Sequence, residues 1–85
     1  MGEEGNVHRE TVIKVLRLQG VGVSKQVDGP SNMFVLAKGE RLEALELPQA
    51  VGRQMIHYLA RHYDVPIHYF YHPEMAANPV TDKIQ

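Results

Sequence analysis

Residues 48–63, Pro-Gln-Ala-Val-Gly-Arg-Gln-Met-Ile-His-Tyr-Leu-Ala-Arg-His-Tyr, constrain the fold more than any other stretch. Val51, Met55, Leu59 and Tyr63 recur at four-residue steps, and Ile56 and Tyr58 widen that stripe. The period predicts an amphipathic helix with one face for packing on a sheet. Arg53, His57 and Arg61 recur at the same step on another face, which should look outward. Pro48 is placed to open the helix, where a missing N–H costs nothing. Asp64-Val65-Pro66 is placed to end it, because the residue before proline is driven out of the helical region.

The chain has 85 residues, enough for one small domain with a modest core. The absence of cysteine excludes disulfides, thiolate metal sites and a cysteine nucleophile, and fits a reducing compartment. No apolar run approaches the roughly eighteen residues of a membrane span. The polar start, Met-Gly-Glu-Glu-Gly-Asn-Val-His-Arg-Glu, has neither the apolar core of a secretion signal nor a myristoylation pattern. The expectation is a cytoplasmic protein with no membrane partner. A net charge of -1 argues against a chain whose whole surface binds nucleic acid, but leaves room for a local basic face.

Residues 1–8 read as a flexible tail, 9–73 as a single α+β domain, and 74–85 as a second flexible tail. Residues 9–19 predict a helix: Val12, Val15 and Leu16 share a side, Glu10 precedes Lys14 by four, and Gly20 suits a left-handed terminator. Residues 21–27 predict a first strand, and Asp28-Gly29-Pro30-Ser31-Asn32 a turn. Residues 33–37 predict a second strand, and 41–47, beyond the Lys38-Gly39-Glu40 turn, a third. Residues 65–73, Val-Pro-Ile-His-Tyr-Phe-Tyr-His-Pro, fit either a fourth strand or one short helical turn. The order predicts a two-layer α+β fold: helix, three antiparallel strands, helix, then a short aromatic segment.

That order and its punctuation resemble the HicA-type toxins of bacterial toxin–antitoxin pairs over residues 10 to 70. The resemblance is carried by the apolar helix followed by Gly20, the Gly29 turn, Phe34 in the second strand, the Gly39 turn, the strand ending in Leu47-Pro48, and the helix after it. It implies the fold of double-stranded-RNA-binding domains. Toxins of this family carry a glycine-X-histidine motif at the start of the second strand, and that histidine cleaves RNA. Here the stretch is Gly29-Pro30-Ser31-Asn32-Met33, with no histidine. Asn32, the nearest positional match, exchanges no proton at neutral pH. The resemblance therefore implies RNA binding without cleavage, and no catalytic residue is assigned.

Arg53, His57 and Arg61, joined by Lys14 and Arg17 of the first helix, are the candidate phosphate contacts. The plainer reading of those residues is a solvated helix face. Tyr58, Tyr63, Tyr69, Phe70 and Tyr71 hold all four tyrosines and one of the two phenylalanines. Tyr58 and Tyr63 are expected in the core. Tyr69, Phe70 and Tyr71 are candidates for contact with a protein partner or a second copy of the chain. His68 and His72, four apart, have the spacing of two metal ligands, with His62, Asp64 or Glu74 as a third. The competing reading, histidines at the margin of an aromatic cluster, is the one adopted, and no metal or other cofactor is assigned. No phosphate loop or Ser-His-acid pattern is present, and Glu43 and Glu46 face opposite sides of a strand. Two function classes follow: a non-catalytic domain for structured RNA, and a protein-interaction module using residues 65–72 or a sheet edge. A third, a ribonuclease built on His57 or His62, has no motif behind it.

Overall fold

The computed structural model describes residues 5–77. Nine short elements follow one another: β1 (Val7–His8), α1 (Arg9–Leu18), β2 (Gly22–Lys25), β3 (Met33–Lys38), β4 (Arg41–Glu46), β5 (Ala50–Val51), α2 (Arg53–His62), α3 (His68–Tyr71) and α4 (Pro73–Ala77). The architecture is α+β, with an antiparallel meander β2-β3-β4 and a separate two-rung bridge between β1 and β5.

Helix α1 forms because Val12, Val15 and Leu16 bury on one side while its first and last turns are capped. His8 Nδ1 accepts the Glu10 N–H. At the other end Gly20 takes φ +88°, the Val21 N–H reaches Leu16 O at 2.9 Å, and the Gly20 N–H reaches Arg17 O. These are the paired bonds of a Schellman ending, which satisfy carbonyls the helix would leave open. Leu16 and Val21 bury together across it, so the reversal also places the start of the sheet.

The meander follows the alternation of its residues. Val23, Phe34, Leu36, Glu43 and Leu45 lie on the inner face, in the register Val23↔Leu36↔Glu43 and Lys25↔Phe34↔Leu45. Gly39, at φ +61°, makes the two-residue turn between β3 and β4, a position where a primed hairpin turn needs positive φ. Strand β2 is shorter than the expected 21–27; beyond Lys25 the chain leaves the sheet, and Val27 is exposed. The helices and the inner face share one core, in which Leu36, Leu47, Ile56, Leu59, Tyr63 and Phe70 are among the largest fully buried side chains. On the outer face, Val35 and Ala37 are half-buried and Leu42 and Ala44 exposed; no described element covers it.

Two expectations are corrected. The helix assigned to 48–63 begins at Arg53, because Ala50 and Val51 are extended and pair with His8 and Val7. Pro48 therefore stands outside the helix, and Gly52 caps it. The same bridge puts Val7 and His8, expected in a tail, into regular structure, and Pro73–Ala77 forms α4. The rest of the two expected tails, 1–4 and 78–85, lies outside the described residues. The 65–73 segment is helical: α3 starts after Pro66, with Tyr69 N–H bonded to Pro66 O.

The two faces of the sheet should respond unequally to truncation. Leu36→Ala removes a fully buried side chain and is expected to cost about 2–5 kcal/mol. Leu42→Ala, on the open face, should change stability by no more than about 0.5 kcal/mol. Urea unfolding of the two variants checks this.

Candidate functional site

Helix α2 buries Ile56, Leu59, Ala60 and Tyr63, leaving Met55 half-buried. Tyr58, expected in the core, is 39% exposed. At about 100° per residue Tyr58 falls roughly 160° around the helix from the buried Ile56, on the side away from the core. With Val51 outside the helix, the buried face centres on Ile56 and Leu59 instead.

The helix ends where Asp64 takes φ +59° and the Val65 N–H reaches back to Ala60 O at 2.9 Å. Aspartate is one of the few residues that tolerate this left-handed geometry. The last carbonyls of α2 receive cations from the β3–β4 hairpin: Lys38 Nζ donates to Tyr63 O at 2.7 Å, and Arg41 donates to His62 O. Positive charge at a helix C-terminus opposes its dipole favourably.

Beneath α2 lies a cluster built on Glu43 of β4. Its carboxylate accepts the hydroxyls of Tyr63, at 2.7 Å, and of Tyr58, and stands 3.3 Å from His62 Nε2. The His62 ring stacks on Tyr58, with centroids 5.0 Å apart and planes 16° apart, and meets Tyr63 edge-on. Partial burial pushes the Glu43 carboxyl up, but the two phenol hydrogen bonds, with His62 and Arg41 nearby, outweigh it and hold the group below the usual carboxylate range. Burial and the Glu43 carboxylate raise the Tyr63 hydroxyl, which stays a donor at neutral pH.

On the solvent side of α2, Arg53, Gln54, His57, Tyr58, Arg61 and His62 line one open groove with no carboxylate among them. The structure thus brings Arg53, His57 and Arg61 together. Lys14 and Arg17 are not part of this lining; they border a separate recess on α1 with Glu10, Ile13 and Leu18. Arg17 also donates to Val23 O at 2.8 Å, tying α1 to β2. Of the aromatic trio nominated for partner contact, Phe70 is 1% exposed and belongs to the core. Tyr69 and Tyr71 are half-buried and packed against it. Among the described residues no three histidine, aspartate or glutamate side chains gather as a metal site. His68 and His72 differ in surroundings: His68 packs edge-on against Tyr69, and His72 lies 3.8 Å from Glu74. Among the described residues no helix is long and apolar enough to cross a membrane.

Glu43 and Gln54 were not singled out as site residues by the sequence. The signal available for Glu43 was its place on the inner face of a strand, where a lone carboxylate requires donors. Comparison with family models, curated proteins and solved structures gave no match.

Tyr63→Phe should destabilise the fold by about 1–3 kcal/mol, the range for removing a hydrogen bond to a charged, partly buried acceptor. Glu43 contributes stability above its unfolded pKa, and that contribution drains away as pH falls through its lowered folded value. Glu43→Gln should therefore be less stable at pH 7 and lose less on acidification than the natural chain. Urea midpoints across a pH series measure both effects.

Proposed function

We propose that this chain is a small non-catalytic domain that binds structured RNA through the exposed face of α2. The observation that carries this reading is the groove in which Arg53, His57 and Arg61 stand in line, with the nearby carboxylate of Glu43 engaged by Tyr58, Tyr63 and His62. Guanidinium groups suit phosphate oxygens, and such contacts supply sequence-independent affinity. Lys14 and Arg17, on a different recess, form at most a second contact zone. The HicA-like order of elements adds to this reading, and Asn32 fits binding without cleavage: its Oδ1 accepts from Arg9 Nη1 at 3.2 Å and its carbonyl from the Leu47 N–H, so the residue braces the hairpin.

The test is titration of the protein with a short RNA duplex over a range of salt. Two to three phosphate contacts give a slope of log K against log salt of about -2 to -3. Arg53→Ala with Arg61→Ala should weaken binding and flatten that slope by roughly 2. Binding that ignores salt, or no binding at all, overturns the reading.

A protein-contact function draws its support from the sheet and not from residues 65–72. Leu42 is 73% exposed beside Ala44, Val35 and Ala37 on the uncovered outer face. A concentration series by light scattering distinguishes the two: self-association through this face would be abolished by Leu42→Lys, with the RNA titration unchanged.

A further inference from the structure

We infer that the recess beside Tyr58 is a subsite for one unpaired nucleobase, adjoining the phosphate-binding face of α2. This rests on the RNA-binding reading and goes beyond it, because a phosphate stripe alone does not distinguish paired from unpaired RNA. The recess, of about 450 Å³, is lined by Leu45, Gln54, Met55 and Tyr58. Tyr58 and Gln54 also line the cationic groove, so the two surfaces are continuous. His62, which stacks on Tyr58, borders the groove but not the recess.

Three features suit a base. The Tyr58 ring is exposed yet held in place: His62 stacks on it at 5.0 Å and Glu43 accepts its hydroxyl. An aromatic fixed before binding loses little freedom when a base stacks on it. Leu45 and Met55 give the recess an apolar floor. Gln54, one turn before Tyr58, presents an amide with both a donor and an acceptor, which base edges can use. Arg53 and His57 flank Gln54 along the helix, where the phosphates on either side of an extruded nucleotide would run. Recognition of single-stranded bases by stacking, with the backbone held by cations, is the general way proteins read unpaired RNA.

The experiment compares a blunt RNA duplex with the same duplex carrying one bulged 2-aminopurine, binding each to the full chain at fixed salt. The bulged duplex should bind roughly five- to a hundredfold tighter, the range of one base–aromatic stack, and its fluorescence should be quenched on binding. Tyr58→Ala should abolish both the quenching and the preference, read as the ratio of bulged- to blunt-duplex affinity so that any change common to the two RNAs cancels. Tyr58→Phe, which keeps the ring, should retain both. Gln54→Ala should reduce that ratio. Equal binding of the two RNAs, or a preference that survives Tyr58→Ala, overturns the subsite and leaves the phosphate reading standing. Loss of both RNAs in the natural chain overturns the phosphate reading and the subsite with it.

Discussion

A carboxylate on the inner face of a sheet has to be satisfied, and in this protein that requirement settles how α2 sits. Glu43 occupies a position that alternation reserves for core residues, between Arg41 and Leu45. An ionised group there is tolerated only when donors replace the water it loses. Tyr58 and Tyr63 supply two hydroxyls from one helix, five residues apart and so on different sides of it, and His62 fills the gap between them. A helix gripped from both flanks through one acceptor has little freedom to roll.

That grip works with the clamp on the helix end. Lys38 and Arg41, on either side of the Gly39-Glu40 turn, reach the last carbonyls of α2, so one hairpin contacts the helix both end-on and from below. The rotation fixed in this way buries Ile56, Leu59 and Tyr63 and turns Arg53, His57 and Arg61 outward. Core chemistry and surface chemistry are thus two sides of a single orientation. The alignment of the basic residues comes from their four-residue spacing, and the buried side of the same helix turns that row toward solvent.

Much of the fold was legible because its signals are local. Gly20 and Gly39 mark backbone reversals that L side chains resist, and the alternation between them writes out the sheet. The start of α2 was not legible. Pro48 is a good local signal for a helix start, but Ala50 and Val51 are recruited by Val7 and His8 from the far end of the domain, and no periodicity reports a pairing of that kind. Arg53, His57 and Arg61 could be read as one face from spacing alone. That Lys14 and Arg17 border another surface could not, since it depends on how α1 and α2 are set in space. Glu43 looked like an ordinary strand carboxylate until the tyrosines arrived opposite it. Tyr58 was misplaced because, at about 100° per residue, it lies on the opposite side of the helix from the buried Ile56, and apolar character alone does not report that.

The two-rung bridge between β1 and β5 ties together parts of the chain that lie far apart in sequence. The β2-β3-β4 meander joins neighbours in the chain through short turns, so its loops close at small entropic cost. The bridge joins segments with the whole meander between them, and that closure is rewarded by its two rungs, by the Arg9 N–H to Gln49 O bond at 2.9 Å and by burial of Val51 in the core. Closing so long a loop costs more chain entropy than closing the short turns of the meander. The N-terminal end of α2 is hinged on that bridge, whereas its C-terminal end is clamped by the hairpin. One end of α2 is thus held by charged donors on its carbonyls and the other by a segment paired with the start of the domain, so the helix ties both ends of the fold to its sheet.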